Sequence, residues 1–139
     1  MSRQPENILA LDVGDTRIGV AICHIVARLP RPLKTILNST DVYDVISALV
    51  VEHDVKGIVV GLPRGLNGQS TDQTRKVESF VQRLENEITV PVYLTDEALT
   101  SRLAEHALQG KKHEKGDIDA LAAAYILQDF LTEHIEVFA

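Results

Sequence analysis

Cysteine is almost missing from this chain. Cys23 stands alone, which excludes an intrachain disulfide and leaves any zinc site without its usual thiolates. Long apolar runs are missing too: none approaches the roughly 20 residues that a membrane-spanning helix needs. The opening residues, Met1 to Asn7, are polar and show no signal-peptide pattern, so a cytoplasmic setting is the default expectation. Internal repeats, low-complexity stretches and Pro/Gly-rich linkers are also lacking, which predicts one domain over residues 1–139, large enough to bury a core without staples. The five histidines show no ligand spacing, and only His113, in a basic loop, invites a test as a proton shuttle.

Positive charge runs out before the end of the chain. All 14 Lys and Arg lie at or before Lys115, where 15 acids leave a balance of -1; residues 117–139 carry five acids without a counter-charge. The net charge of -6 is awkward for a phosphate-binding protein, since nucleic acids favour basic surfaces. Bound divalent cations would offset much of that excess.

What is present is a regular alternation of apolar runs and punctuation. Ile8 to Gly14 reads as a strand, and the tight turn Gly14-Asp15-Thr16 leads into a second β-rich run, Arg17 to Cys23, as an antiparallel hairpin. Pro30 and Pro32 bracket the approach to a third strand, Leu33 to Leu37. The capping cluster Asn38-Ser39-Thr40-Asp41 precedes apolar positions at helical spacing (Val42, Val45, Ile46, Leu49, Val50). A short buried strand, Gly57 to Val60, runs into Gly61-Leu62-Pro63. Thr71 or Asp72 caps a second helix carrying Val77, Phe80, Val81 and Leu84. A strand from Val90 to Glu97, a helix over about Leu99 to Leu108, a basic loop over Gly110 to Gly116 and a last helix, Asp119 to Leu131, complete the order βββαβαβαα. That order predicts an α/β fold, a five-stranded mixed sheet of three antiparallel strands followed by two parallel ones, with helices on both faces.

Three carboxylate sites fall where such elements end or begin: Asp12, the pair Asp96-Glu97, and Asp119. Ligands in sheets of this kind bind beyond the C-terminal strand edge, where Asp12 and Glu97 lie. Gathered together, the acids would repel one another and call for a hard divalent cation with oxygen ligands. Asp12 has a plainer reading as a turn-former bonding the backbone of Gly14 or Asp15. Adjacent strand residues point to opposite faces, so one of Asp96 and Glu97 can face a site while the other caps or braces. Sequence does not decide between them; Glu97 is favoured as ligand and Asp96 as its support. Asp119 shares a helical face with Ala122, Ala123, Ile126 and Phe130, and an acid at the head of an apolar stripe is expensive unless paired or metal-bound.

Around these acids, Gly61-Leu62-Pro63-Arg64-Gly65-Leu66-Asn67-Gly68 links a strand end to a helix start, and its glycines allow close approach of a ligand. Arg17, Arg64, Arg75, Lys76, Arg102, Lys111, Lys112 and Lys115 are candidate phosphate contacts.

Four stretches together resemble the YqgF/RuvX family of ribonuclease-H-like proteins: Ala10 to Ala21 (ALDVGDTRIGVA), Ile58 to Gly68 (IVVGLPRGLNG), Asp96 to Thr100 (DEALT) and Ile118 to Gln128 (IDALAAAYILQ). They occur in family order at family spacing. The resemblance implies a ribonuclease H-like fold and a metal-dependent nuclease, with Asp12, Glu97 and Asp119 as catalytic and metal-ligating residues for Mg²⁺ or Mn²⁺, two ions being expected. Arg17, Gly61, Pro63, Arg64, Arg102, Lys111, Lys112 and Lys115 are expected at the substrate. The implied substrate is pre-16S ribosomal RNA at its 5′ end or, as the alternative, a Holliday junction in branched DNA. A junction resolvase that cuts two strands symmetrically should be a homodimer, whereas a nuclease trimming one end can be a monomer. Ala98 stands where the family commonly has Arg, Leu66-Asn67-Gly68 where it has Met-Asp-Gly, and Asp117 where a basic residue is frequent. Two other classes remain: an actin-like nucleotide-binding half-domain, whose first phosphate loop Asp12 to Gly19 resembles, and a non-catalytic RNA-binding module.

Overall fold

The computed structural model describes residues 6–97 and 115–134, with the side chains of Glu97 and Lys115 outside that description. Seven apolar-rich residues form β1 (Asn7–Val13), and the Gly14-Asp15-Thr16 turn returns the chain as β2 (Arg17–His24). β3 (Arg31–Leu37) follows, then α1 (Val42–Glu52), β4 (Val55–Pro63), α2 (Asp72–Glu87), β5 (Val92–Glu97) and α3 (Lys115–Glu133). The strands make one five-stranded sheet in the order β3-β2-β1-β4-β5. β1–β2 and β2–β3 are antiparallel, while β1–β4 and β4–β5 are parallel. The mixed sheet expected from the sequence is the one found. The helix expected over Leu99 to Leu108 lies outside the described residues.

Position in the sheet explains the composition of each strand. β1 and β4 are central, and Ile8 to Leu11 and Ile58 to Val60 are completely buried, as strands covered on both faces must be. β3 is an edge, which is why it tolerates Pro32: a residue without an N–H can sit only where a ladder bond is not required.

Alternation along the strands sorts side chains onto two faces. On one, Leu9, Leu11, Ile18, Val20, Ile58 and Val60 pack beneath α1 and α2. α2 begins at a capping box in which Thr71 and Thr74 satisfy each other's backbone N–H groups. Thr74 is buried and its hydroxyl also donates to the Pro63 carbonyl, tying the helix start to the end of β4. The opposite face carries smaller residues, Ala10, Ala21 and Cys23, beneath α3, which contributes Ala123, Ile126, Leu127 and Phe130.

α3 begins at Lys115, four residues before the expected start, and ends at Glu133. Gly116 does not prevent this, because the N–H groups of a helix's first turn have no intrahelical partner and little is lost by a poor helix former there. Asp117 therefore lies in the first turn and Asp119 beyond it.

Candidate active site

Asp12, one residue from the end of β1, is the cross-strand partner of Gly19 on β2. Both fall in the alternation that faces α3, as Ala10 and Ala21 do. A Cβ on Gly19 would lie 1.9 Å from the Asp119 carbonyl oxygen and 2.8 Å from the Ala120 nitrogen. The helix backbone thus rests directly on β2 where a side chain is missing, and that contact brings Asp119 next to the strand pair carrying Asp12. Gly61, on β4, has a similar use: a Cβ there would meet Ile126 Cδ1 at 2.5 Å. Two glycines seat α3 against the sheet.

Asp119 is partly buried and accepts a hydrogen bond from Arg17 Nε at 2.6 Å, across 102 residues of sequence. Arg17 shares the alternation of Gly19, two residues away, so the guanidinium comes from the same face. With side chains 37% and 23% exposed, this pair adds little stability, about 0–1 kcal/mol. Its effect is on position: it holds the carboxylate in one orientation and places positive charge beside it. Because Asp119 lies past the first turn, its carboxylate does not serve the unpaired N–H groups of the helix start.

β5 brings the remaining acids to the same edge. Gly61 pairs with Thr95 and Pro63 with Glu97. Tyr93 packs on Phe130 of α3, ring centroids 5.5 Å apart, and Glu97 stands two alternations further in the same series. Asp96 falls in the opposite series. It is largely exposed and accepts from Arg64 Nε at 3.2 Å, while Arg64 also donates to Ser70 Oγ at 2.8 Å. These bonds brace the loop after β4 against the end of β5.

The other expected substrate contacts divide by position. Gly61, Pro63, Arg64 and Arg17 lie at the C-terminal edge of the sheet, although the Gly61 gap is filled by Ile126. Lys115 opens α3. Arg102, Lys111, Lys112 and the His113 of the shuttle expectation lie outside the described residues, as does Ala98.

Among the described residues no three His, Cys, Asp or Glu side chains form a group able to hold a metal. The described part of the site is two carboxylates and a guanidinium, with Glu97 placed by its backbone register alone. Its donors are oxygen only, the set that Mg²⁺ and Mn²⁺ take and that zinc or copper sites rarely use. A cationic group already sits on Asp119. The chemistry of these donors suits a hard divalent cation, which would have to share Asp119 with Arg17.

A β3-β2-β1-β4-β5 sheet with acids at its C-terminal edge and a helix bearing one of them is a ribonuclease H-like fold of the RuvC type. The structure of Thermus thermophilus RuvC in complex with a Holliday junction substrate superposes with a TM-score of 0.54 at 15% identity, covering 92% of this chain and 95% of that one. At that identity the likeness concerns the fold alone. The sequence goes further: the family model described as "RuvX: Holliday junction resolvase" matches residues 6–133, and the chain belongs to that family. A relative from Sulfurihydrogenibium sp. (strain YO3AOP1), named "Putative pre-16S rRNA nuclease", is 40% identical over 128 residues, covering 89% of this chain and 88% of its own. One from Chloroflexus aggregans with the same name is 42% identical over 132 residues, covering 91% and 93%.

Proposed function

We propose that this protein is a metal-dependent endonuclease that hydrolyses a phosphodiester bond at the 5′ end of pre-16S ribosomal RNA. The observation that carries the reading is the seating of α3 on Gly19, which brings Asp119 beside the strand pair of Asp12. Asp119 lies past the first turn of α3, so capping of the helix start does not account for an acid at that position.

In this reading Asp12, Glu97 and Asp119 hold Mg²⁺ or Mn²⁺, which when bound supplies an activated water and Lewis-acid stabilisation of the phosphate. The chain's own residues do the positioning. Arg17 presents a planar fork with more donors than Asp119 uses, so it can orient a phosphate oxygen while its Nε keeps the carboxylate in place. Arg64, tied to Asp96 and Ser70, holds the loop after β4 at the rim of the site. Asp96 supports that loop and leaves the inward position to Glu97. Lys115, Lys111, Lys112 and Arg102 are assigned to the substrate backbone. A cytoplasmic setting goes with this substrate, and no helix among the described residues is long and apolar enough to cross a membrane.

The family model's description and the RuvC fold favour one second reading, cleavage of branched DNA. A single assay separates the two. A pre-ribosomal 5′ leader, a four-way DNA junction and linear duplexes are incubated with Mg²⁺ or Mn²⁺ and wild-type protein beside Asp12→Asn. The leader is cut by wild type, and Asp12→Asn lowers the rate by roughly a thousandfold, as expected for loss of one preorganised electrostatic group, with the circular-dichroism melt unchanged. Preferential cutting of the junction moves the substrate to DNA. Turnover retained by a folded Asp12→Asn protein ends the nuclease assignment.

A further inference from the structure

Across the sheet from Asp119, the α1/α2 side holds a second polar feature that the proposed chemistry does not use. The Gly14-Asp15 turn and α2 enclose a groove of about 390 Å³. On α2, Lys76, Ser79, Phe80 and Arg83 follow one another at helical steps of three, four and seven, so one face of the helix forms its wall. The floor is fixed rather than loose: Asn38 Nδ2 donates to the Gly14 carbonyl at 2.8 Å, and Gln73 Nε2 to that of Val13 at 3.4 Å. Each amide keeps its own carbonyl oxygen as an acceptor.

Two cations project into this groove in different ways. Lys76 Nζ lies 3.4 Å from both carboxylate oxygens of Asp15, and both side chains are more than 60% exposed, so the partner is readily exchanged. Arg83 is held flat. Its guanidinium carbon sits 5.2 Å over the Tyr43 ring, Tyr43 rests on Phe80 at 5.2 Å, and Glu87 takes Nε at 3.5 Å. The guanidinium, its side chain 64% exposed, thus lies over a tilted pair of rings, and nucleobases stack on guanidinium planes as they do on aromatic rings. In a chain of net charge -6, the groove lining has two cations against one acid. Asp15 is three residues from Asp12, at most about 11 Å along extended backbone, so the groove and the proposed active site share one edge of the sheet from its two faces.

We propose that this groove is a nucleotide subsite: it takes one unpaired nucleotide of the substrate strand, with its phosphate on Lys76 and its base on the Arg83 guanidinium. The volume lies near the lower end of the ~300–1,000 Å³ typical of small-ligand sites, which admits a single extruded nucleotide and not a duplex. The inference rests on the nucleic-acid reading above and adds that the substrate is single-stranded on this side of the cut.

The test is binding, measured by fluorescence anisotropy on the full chain carrying Asp12→Asn, with a labelled single-stranded RNA and a fully paired RNA of equal length over a salt series. Lys76→Gln/Arg83→Gln is compared with Arg31→Gln/Lys56→Gln, an equal charge change toward the opposite edge of the sheet. The groove pair is expected to weaken single-strand binding about 10- to 100-fold and to reduce the salt slope by about one, while the control pair stays within about twofold. Arg83→Lys keeps the charge and removes the plane, so it should remain weak; full recovery by Arg83→Lys overturns the base-stacking assignment. Equal losses in both pairs, or none in either, overturn the subsite. Cleavage by wild type and Asp12→Asn is read separately. If both cut alike while the groove pair still loses the single strand, the catalytic assignment fails and the subsite stands. If no single-stranded RNA binds at any salt, the subsite fails whatever the cleavage assay shows.

Discussion

The two faces of the sheet are built to different tolerances. Beneath α1 and α2 the strands present Leu, Ile and Val, and contact is made through large side chains that can repack. Beneath α3 they present Gly19, Ala21, Ala10 and Gly61, and at Gly19 the contact is backbone on backbone. The first arrangement holds a core together. The second fixes the position of one helix relative to two strands, and the helix carries Asp119. A methylene more or less on the first face changes stability; on the second it changes where a carboxylate sits.

Gly19→Ala breaks the comparison at its most sensitive point. Its new Cβ would stand 1.9 Å from the Asp119 carbonyl oxygen, so the early part of α3 must move away by more than 1 Å. A displacement of that size at a reacting centre costs about 100-fold in rate. Overpacking should add about 1–3 kcal/mol of destabilisation. Turnover measured where circular dichroism shows the variant folded is expected to fall by that hundredfold; a rate near wild type would mean that helix seating does not set the site.

The matching change on the looser face is Ile46→Ala. Ile46, on α1, is completely buried in the core between that helix and the sheet, and its truncation should cost about 2–5 kcal/mol in urea unfolding. Turnover per folded molecule should not change, since Ile46 belongs to the core beneath α1 and α2 and not to the one beneath α3. A rate loss as large as that of Gly19→Ala would erase the distinction between the faces.

These two positions also show what can be read from the sequence. The stripe Ala122, Ala123, Ile126 and Phe130 was legible from helical periodicity, and all four are buried. Asp12 at a strand end and the five-stranded mixed sheet followed from the spacing of apolar runs. Gly19 was not legible: inside Arg17 to Cys23 it marks no turn, and its meaning depends on which helix crosses it a hundred residues later. The Arg17 partner was hidden for the same reason, because nothing local in Asp-Thr-Arg-Ile-Gly points to Asp119. The α3 boundary was misplaced because Gly116 reads as a breaker, although a first helical turn can hold it. Lys76 was marked as a candidate phosphate contact, but the groove it lines with Ser79 and Arg83 required the Gly14-Asp15 turn beside it.

The smallest effect separates the faces by titration. Cys23 lies on the α3 side, 3% exposed, and burial pushes its thiol from 9.0 up to about 11, with Arg28 pulling weakly the other way. Its folded pKa exceeds the unfolded one, so the protonated form favours the fold. The contribution is complete below pH 9 and is lost as pH rises toward about 11, at about 1.4 kcal/mol per pH unit. Tyr43, on the opposite face, is also raised above 10.0, chiefly by burial, with Arg83 opposing and Glu87 reinforcing. Its loss has the same sign but begins a unit higher. Urea unfolding from pH 8 to 11 should therefore show stability declining from about pH 9 in wild type. Cys23→Ala should remove the decline between about 9 and 10 while Tyr43→Phe leaves that part intact. An unchanged slope in Cys23→Ala would mean that the thiol gains enough solvent, or enough from Arg28, to ionise within the folded protein, and that the tightly seated face is less dry than its alanines and glycines make it.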